Sequence, residues 1–327
     1  MVSELFKRID EKTVEYKGRR YTLYQGPKLE GERYCFTKES SLYPAMLKDI
    51  PRPPKELHLI GNPECLHDAC IALIGARRAT PYGLACAQHF AFRAAEKGLT
   101  IASGGAFGCD SASHKGALDA GGRTIVFLGG GCDQIYPQSN YELYQKIIEQ
   151  GGAIVSERDW EFPALPFTFL ERNRLIAGIA QAVLIVEAGL PSGTFTTADE
   201  ALAASREVLV IPSAITSHTS AGSNRLLYQG ATPIVDDESF DDVLFSLYGI
   251  LKQEDMLKQK VQDPVNDPLL SSLLAEPLRL DDILEKVTVP KRISKDATKW
   301  LRMHLVELES QGLIKRFPDG RYGPARL

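Results

Sequence analysis

Apolar residues in the middle of the chain fall into short unbroken runs: Ile71–Ile74, Thr100–Ala102, Thr124–Leu128, Ala153–Val155, Val183–Val186, Val208–Ile211 and Pro233–Val235. Runs this uniform predict strands covered on both faces, and therefore a mostly parallel sheet. Between them, residues 81–97, 111–120, 140–150, 169–180, 196–204 and 223–229 repeat their apolar positions every three or four residues, as helices do. Strand and helix alternate throughout, so the predicted fold class is α/β, a doubly wound, mostly parallel sheet. Right-handed crossovers then gather every strand-to-helix loop at one edge.

The flanks read differently. Residues 1–60 form a short N-terminal arm, with a hairpin expected over Val14–Tyr24 turning near Lys17-Gly18 and a proline-set approach at Pro51–Pro54. The core is expected over 61–250 and a polar linker over 251–266. Residues 267–327 carry three helical segments, 269–274, 280–286 and 296–311, then a hairpin with Asp319-Gly320 at its turn. Three helices and a hairpin make a winged-helix pattern.

Composition narrows this further. The chain has 327 residues, 44% hydrophobic and 24% charged, enough for two or three domains with a sizeable core. It holds no run of 18 apolar residues and no apolar leader after Met1, so a cytoplasmic protein without a membrane anchor is expected. The six cysteines are scattered and read as reduced thiols packed as small hydrophobes. Cys65 and Cys70 lack zinc-pair spacing, and no Cys/His cluster is visible along the chain, so no metal is expected. The net charge is −4, but residues 51–250 carry 14 Lys and Arg against 22 Asp and Glu, a balance of −8. That excludes a broad nucleic-acid-coating surface, not a local pocket with a few arginines.

Candidate chemistry sits where strands break into helices. In Gly75–Gly83, Thr80 and Pro81 open a helix whose N-terminus suits an anion, and Arg77 or Arg78 can add a phosphate contact; a surface arginine pair beside an ordinary cap is the competing reading. Ser103, Gly104 and Gly105 begin a loop whose glycines allow close approach of backbone N–H groups to a phosphate. His114 is an orienting group or a satisfied helix-face histidine. Gly129–Pro137 is a structural turn or a binding loop, with Asn140 capping the next helix. Phe169, Arg172, Asn173 and Arg174 suit base stacking plus phosphate contact, and cations in a first helical turn would favour a bound anion there. Ser192, Gly193 and Thr194 offer hydroxyls and backbone donors, while Glu187 reads as a strand-end cap. There is no Walker loop, no H-E-x-x-H and no nucleophile elbow.

At these loops the sequence resembles the DNA-processing protein A family (DprA, also called Smf). The resemblance rests on Gly75-Ala-Arg77 with Tyr82-Gly83, Ser103-Gly104 through Gly108 and Asp110 to His114, Gly129–Asp133 with Tyr136-Pro137, Ser156-Glu157, Phe169 with Arg172–Arg174, Glu187-Ala188 with Ser192-Gly193, and Ser220–Asn224 with Gly230-Ala231. It implies an extended Rossmann domain that binds single-stranded DNA, forms a homodimer and loads the RecA recombinase during natural transformation. It also implies no catalytic reaction and no cofactor. By motif, Arg77, Phe169, Arg172 and Arg174 would contact DNA, with Ser103–Gly105 and Ser192–Thr194 as phosphate loops. Some members carry a winged-helix tail. The alternative is a nucleotide-binding or nucleoside-monophosphate phosphoribohydrolase-like enzyme similar to the lysine-decarboxylase-like family. Its Pro-Gly-Gly loop finds only a loose likeness in Pro191–Glu200.

Overall fold

A computed structural model describes residues 5–249, 269, 272–273, 277–286, 297–310, 313–317 and 320–324. The expected linker at 251–266, and Lys291, Arg292, Lys295, Asp296 and Asp319, lie outside the described residues. The chain divides into two compact units, Met1–Lys252 and Gln253–Leu327.

The first unit opens with a three-stranded antiparallel meander, β1 (Lys7–Asp10), β2 (Thr13–Tyr16) and β3 (Arg19–Thr22). The expected hairpin forms here: Lys17 and Gly18 both take positive φ, the geometry of a tight turn that matches strand twist. The next two strands depart from expectation. β4 (Arg33–Thr37) and, after the short α1 (Ala45–Lys48), β5 (Glu56–Gly61) were read as part of the arm but join the main sheet. Their antiparallel pairing leaves alternate positions polar, so they lack the continuous apolar run that marks the parallel strands.

From there strand and helix alternate as the pattern predicts. The order is β6 (Cys70–Ile74), α2 (Pro81–Glu96), β7 (Thr100–Ser103), α3 (Cys109–Asp119), β8 (Thr124–Phe127), α4 (Tyr141–Glu149), β9 (Ala153–Ser156), α5 (Pro166–Ile179), β10 (Ala182–Ile185), α6 (Thr194–Ala203), β11 (Glu207–Val210), α7 (Ala221–Tyr228), β12 (Thr232–Pro233) and α8 (Asp237–Tyr248). The nine-stranded sheet runs β12-β11-β10-β6-β7-β8-β9-β5-β4, parallel from β12 to β9 and antiparallel beyond. The chain leaves β6 in one direction through β7, β8 and β9, then crosses back along α5 to β10 on the other side of β6. That reversal opens a crevice between β6 and β10 at the carboxyl edge, where α/β sheets bind ligands.

Separate apolar layers cover the two faces. One centres on Leu175, Ile176, Ile179 and Ala177 of α5 against Ile74, Ile125 and Val183. The other packs Ala87, Phe90, Ala91 and Ala94 of α2 against Ile71, Leu73 and Ile101. Among the described residues no helix is long and apolar enough to cross a membrane.

In the second unit, α9 (Leu280–Lys286) and α10 (Ala297–Ser310) accompany an antiparallel pair, β13 (Ile314–Arg316) and β14 (Tyr322–Pro324). Leu269, Leu273, Leu278, Ile283, Leu301, Leu305, Leu308 and Ile314 form its core. Of the segment expected to be helical over 269–274, only Leu269, Ser272 and Leu273 are described, and all three are helical.

Candidate functional site

The crevice between β6 and β10 holds a cavity of about 540 Å³. Four segments line it: Gly75–Arg78 after β6, Ala106 and Asp110 after β7, Phe169, Leu170, Arg172 and Asn173 with Ile176 on α5, and Gly189 with Pro191–Thr194 after β10. Residues far apart in sequence meet there because each parallel strand delivers its loop to the same edge.

Arg77 and Arg78 are exposed at the mouth, and neither makes an ion pair among the described residues. The Arg77 guanidinium lies 5.3 Å from the centre of the Phe169 ring. The same half-buried ring meets Tyr136, with centroids 5.2 Å apart. Cation, aromatic and aromatic are thus in successive contact, with Arg77 and Phe169 on the cavity wall. Leu170, 49% exposed, continues the apolar wall outward.

The floor is made by buried charge. Arg172 is 5% exposed, and its Nη1 donates to the carbonyls of Gly104, at 2.7 Å, and Phe127. Those carbonyls end the neighbouring strands β7 and β8, so one guanidinium ties two strand ends together. Its Nε is buried without a partner. Asp110 is equally buried, and its Oδ2 accepts from Ala106 N at 3.3 Å. Burial raises the Asp110 carboxyl above its ordinary range against the pull of Arg172 and Arg77, and lowers Arg172. Behind them His114 is fully buried; Thr124 Oγ1 donates to the Ile101 carbonyl and so accepts from His114 Nδ1, 2.7 Å away. Desolvation, aided by Arg172, drives the His114 imidazole down to about 3, which keeps it neutral. It is a satisfied core histidine on that side, one of the two readings the sequence leaves open.

Several candidate residues line the cavity: Arg77, Arg78, Phe169, Arg172, Asn173, Ser192, Gly193 and Thr194. Ser103, Gly104, Gly105 and Arg174 do not. Ser103 Oγ turns inward and donates to the Leu73 carbonyl at 2.6 Å. At Gly104 a Cβ would stand 2.3 Å from Arg172 Nη1, so that glycine makes room for the guanidinium rather than for a phosphate. Arg174 Nη1 donates to the Arg52 carbonyl at 2.6 Å, and its Nη2 pairs with Glu157. α5 begins at Pro166, which makes Arg172 its seventh residue and places neither arginine in the first turn.

The anion site predicted at the start of α2 is filled from within. Thr80 does cap the helix, accepting from Gly83 N at 3.1 Å. Its own N and Oγ1 then donate to the buried Glu187 carboxylate at 3.0 and 2.8 Å. Glu187 is therefore an internal anion at a helix N-terminus, not a strand-end cap. The turn at Gly129–Pro137 is structural: Asp133 pairs with Lys28 and Arg33, at 2.9 and 2.8 Å. Asn140 makes no side-chain cap; its Nδ2 donates to Gly105 O and Ser111 Oγ.

Two contributors were not singled out as site residues from sequence, Asp110 and Tyr136. Both stand in the quoted motifs; the crossover topology brings Asp110 to the crevice, and Tyr136 joins the site through its contact with Phe169. Away from the cavity, Cys35, Glu56 and His58 bring three metal-ligating groups together on β4 and β5, which the expectation of no metal cluster did not anticipate.

The family described as DNA recombination-mediator protein A matches residues 34–246. Protein Smf of Escherichia coli is 34% identical over 287 residues, spanning 86% of this chain and 75% of that one. Among solved structures, DNA processing protein A of Streptococcus pneumoniae superposes with a TM-score of 0.60 at 32% identity, covering 64% of this chain and 73% of the other. DNA processing protein A of Helicobacter pylori, described with a single-stranded DNA binding mode, matches at the same TM-score and 30% identity, covering 67% and 99%.

Proposed function

The chain belongs to the DNA recombination-mediator protein A family, and from that premise we propose that the crevice between β6 and β10 binds single-stranded DNA. The observation that carries the reading is the cavity wall in which Arg77 lies over Phe169, itself backed by contact with Tyr136, with the buried Arg172 also in the lining. Bases that are not paired can stack on an aromatic ring, and arginines beside the ring hold the phosphates; a duplex hides its base faces and cannot use such a wall. Arg77 and Arg78 are the phosphate contacts in this reading, Phe169 is the stacking platform, and Asn173 with Ser192–Thr194 borders the path. The Helicobacter pylori relative's single-stranded DNA binding mode supports it.

The wider role follows the family's description as a recombination mediator: a homodimer that delivers the bound strand to a RecA-type recombinase during natural transformation, in the cytoplasm. The C-terminal unit is read as a winged-helix module on the two helices and the antiparallel pair described. Against the hydrolase alternative, two carboxylates near the crevice are engaged elsewhere. Glu187 holds Thr80, and Glu200 pairs with Arg52 at 2.5 Å.

The test is fluorescence anisotropy with a labelled oligothymidine, single-stranded against duplex, at two salt concentrations. A salt-sensitive preference for the single strand supports the proposal. Absence of binding at low salt overturns it, and release of a free base from a nucleoside monophosphate would favour the enzyme.

A further inference from the structure

The antiparallel corner of the sheet carries a second site unrelated to the crevice. In the β4–β5 register Cys35 stands opposite His58, and Glu56 lies two residues before His58 on the same face of β5. The side chains converge: Cys35 Sγ is 3.7 Å from His58 Nε2, His58 Nε2 is 3.2 Å from Glu56 Oε1, and the thiol donates to that same oxygen at 2.8 Å. Asp159, just beyond β9, places Oδ1 4.0 Å from His58 Nε2.

We propose that Cys35, His58, Glu56 and Asp159 bind one divalent transition-metal ion of the zinc class. A tetrahedral ion with sulfur at about 2.3 Å and nitrogen and oxygen at about 2.1 Å sets its S and N ligands about 3.6 Å apart and its N and O ligands about 3.4 Å apart. The observed separations of 3.7 and 3.2 Å are those of two such edges. The Sγ–Oε1 separation of 2.8 Å must open and the Nε2–Asp159 Oδ1 separation of 4.0 Å must close to reach such edges, and both movements fall on exposed carboxylates, Glu56 and Asp159 being 42% and 72% exposed. Thiolate, imidazole and carboxylate together select zinc, cobalt or a similar ion over calcium or magnesium, which prefer oxygen alone.

The imidazole is already oriented for this role. His58 is buried, its Nδ1 has no partner, and so every polar contact of the ring is made by Nε2 at the cluster. Trp160 packs edge-on against the ring at 5.0 Å, and the Arg33 guanidinium lies 4.9 Å from the Trp160 centroid. On binding, the Sγ–H bond breaks, its proton passes to solvent and the thiolate electron pair forms the metal–sulfur bond. The imidazole binds through its Nε2 lone pair, in the tautomer that carries the ring proton on Nδ1. The ion would clamp the edge strand β4 to β5 and to the chain leaving β9.

Spectroscopic titration of the full chain with cobalt(II), after chelator treatment, tests the proposal. A thiolate-to-cobalt charge-transfer band saturating at one equivalent per chain, and displaced by zinc(II), is the expected result. Cys35→Ser should remove the band, while Glu56→Gln and Asp159→Asn, on exposed side chains, should weaken binding at least about tenfold with an unchanged circular-dichroism spectrum. Absence of the band from folded protein overturns the site. So does a band that persists in Cys35→Ser, which would assign the metal to another thiol, or full affinity in Glu56→Gln. Binding of single-stranded oligothymidine should survive Cys35→Ser, so failure of this site and failure of the crevice reading are separable.

Discussion

Two loops of nearly the same composition follow β7 and β10, and they do opposite work. Ser103–Gly108 and Ser192–Thr194 each leave a strand, pass through Ser and Gly, and begin a helix. The first turns its polar atoms inward: Ser103 Oγ reaches the Leu73 carbonyl, and the Gly104 and Gly105 carbonyls accept from Arg172, Asn140 and Tyr144. The second bonds mainly within itself, Ser192 Oγ accepting from Thr194 N at 3.1 Å, and lines the cavity. Central strands crowd the first loop with neighbours, whereas the second stands at the crevice where the strand order reverses. Local chemistry proposes a phosphate loop, and the position of the strand in the sheet decides whether it is one.

Substitutions that separate folding from binding sharpen this contrast. The largest effect is expected from Arg172→Ala, which leaves Asp110 buried without its cation and strips the Gly104 and Phe127 carbonyls of their donor. A loss of about 3–5 kcal/mol should appear in the urea unfolding midpoint. The paired glycines come next. Gly108 has φ +79° and a Cβ there would stand 2.2 Å from the Ala76 carbonyl, so Gly108→Ala should cost on the order of 3 kcal/mol. Gly193 has φ −65° and nothing within 4 Å of such a Cβ, so Gly193→Ala should leave the midpoint within about 0.5 kcal/mol. Equal costs at the two glycines would erase the contrast.

Binding variants follow. Phe169→Ala should weaken oligothymidine binding by about 1–3 kcal/mol if a base stacks on the ring. Arg77→Ala should lower the salt slope by about one unit, and Arg174→Ala, whose guanidinium is held by Glu157 and Arg52, should leave the slope unchanged. A slope lowered by Arg174→Ala instead would return that residue to the interface.

The last effect is titrational. His114 is held neutral down to about 3 in the folded state, while the unfolded chain protonates it near its ordinary 6.5. A depressed value means its stabilisation is complete above pH 6.5 and is lost as pH falls towards 3, because only the unfolded chain gains the proton. Between pH 7 and 5 the urea midpoint of wild type should fall further than that of His114→Gln, at up to about 1.4 kcal/mol per pH unit. Asp110 is common to both proteins and cancels in the difference. Parallel curves would refute the buried neutral ring.

The parallel half of the fold was legible because strands covered on both faces must be continuously apolar, and Ile71–Ile74 or Val183–Val186 admit little else. The antiparallel strands β4 and β5 were not, since Tyr34, Cys35, His58 and Glu56 alternate in a way a surface arm also allows. At the site, the residue types were readable and their directions were not. Arg172, Asn173 and Arg174 are consecutive on one helix, yet Arg172 and Asn173 line the cavity and Arg174 turns to Glu157. Likewise no sequence spacing announces that Glu187 reaches Thr80, or that Cys35 meets His58 across 23 positions, because both contacts are made by strand pairing rather than by local turns.

The exposed Arg77–Arg78 pair sits at the mouth of a unit whose core segment is strongly acidic, and this has a kinetic consequence. A distant polyanion meets net repulsion and feels the arginines only within about a Debye length, roughly 10 Å at 0.1 M salt. Added salt therefore eases the long-range approach while weakening the short-range capture by the arginines, and it loosens the hold. Association should be nearly indifferent to ionic strength, and the salt dependence of affinity should reside in the lifetime of the complex, so that the protein meets its ligand slowly and releases it according to the ions around it.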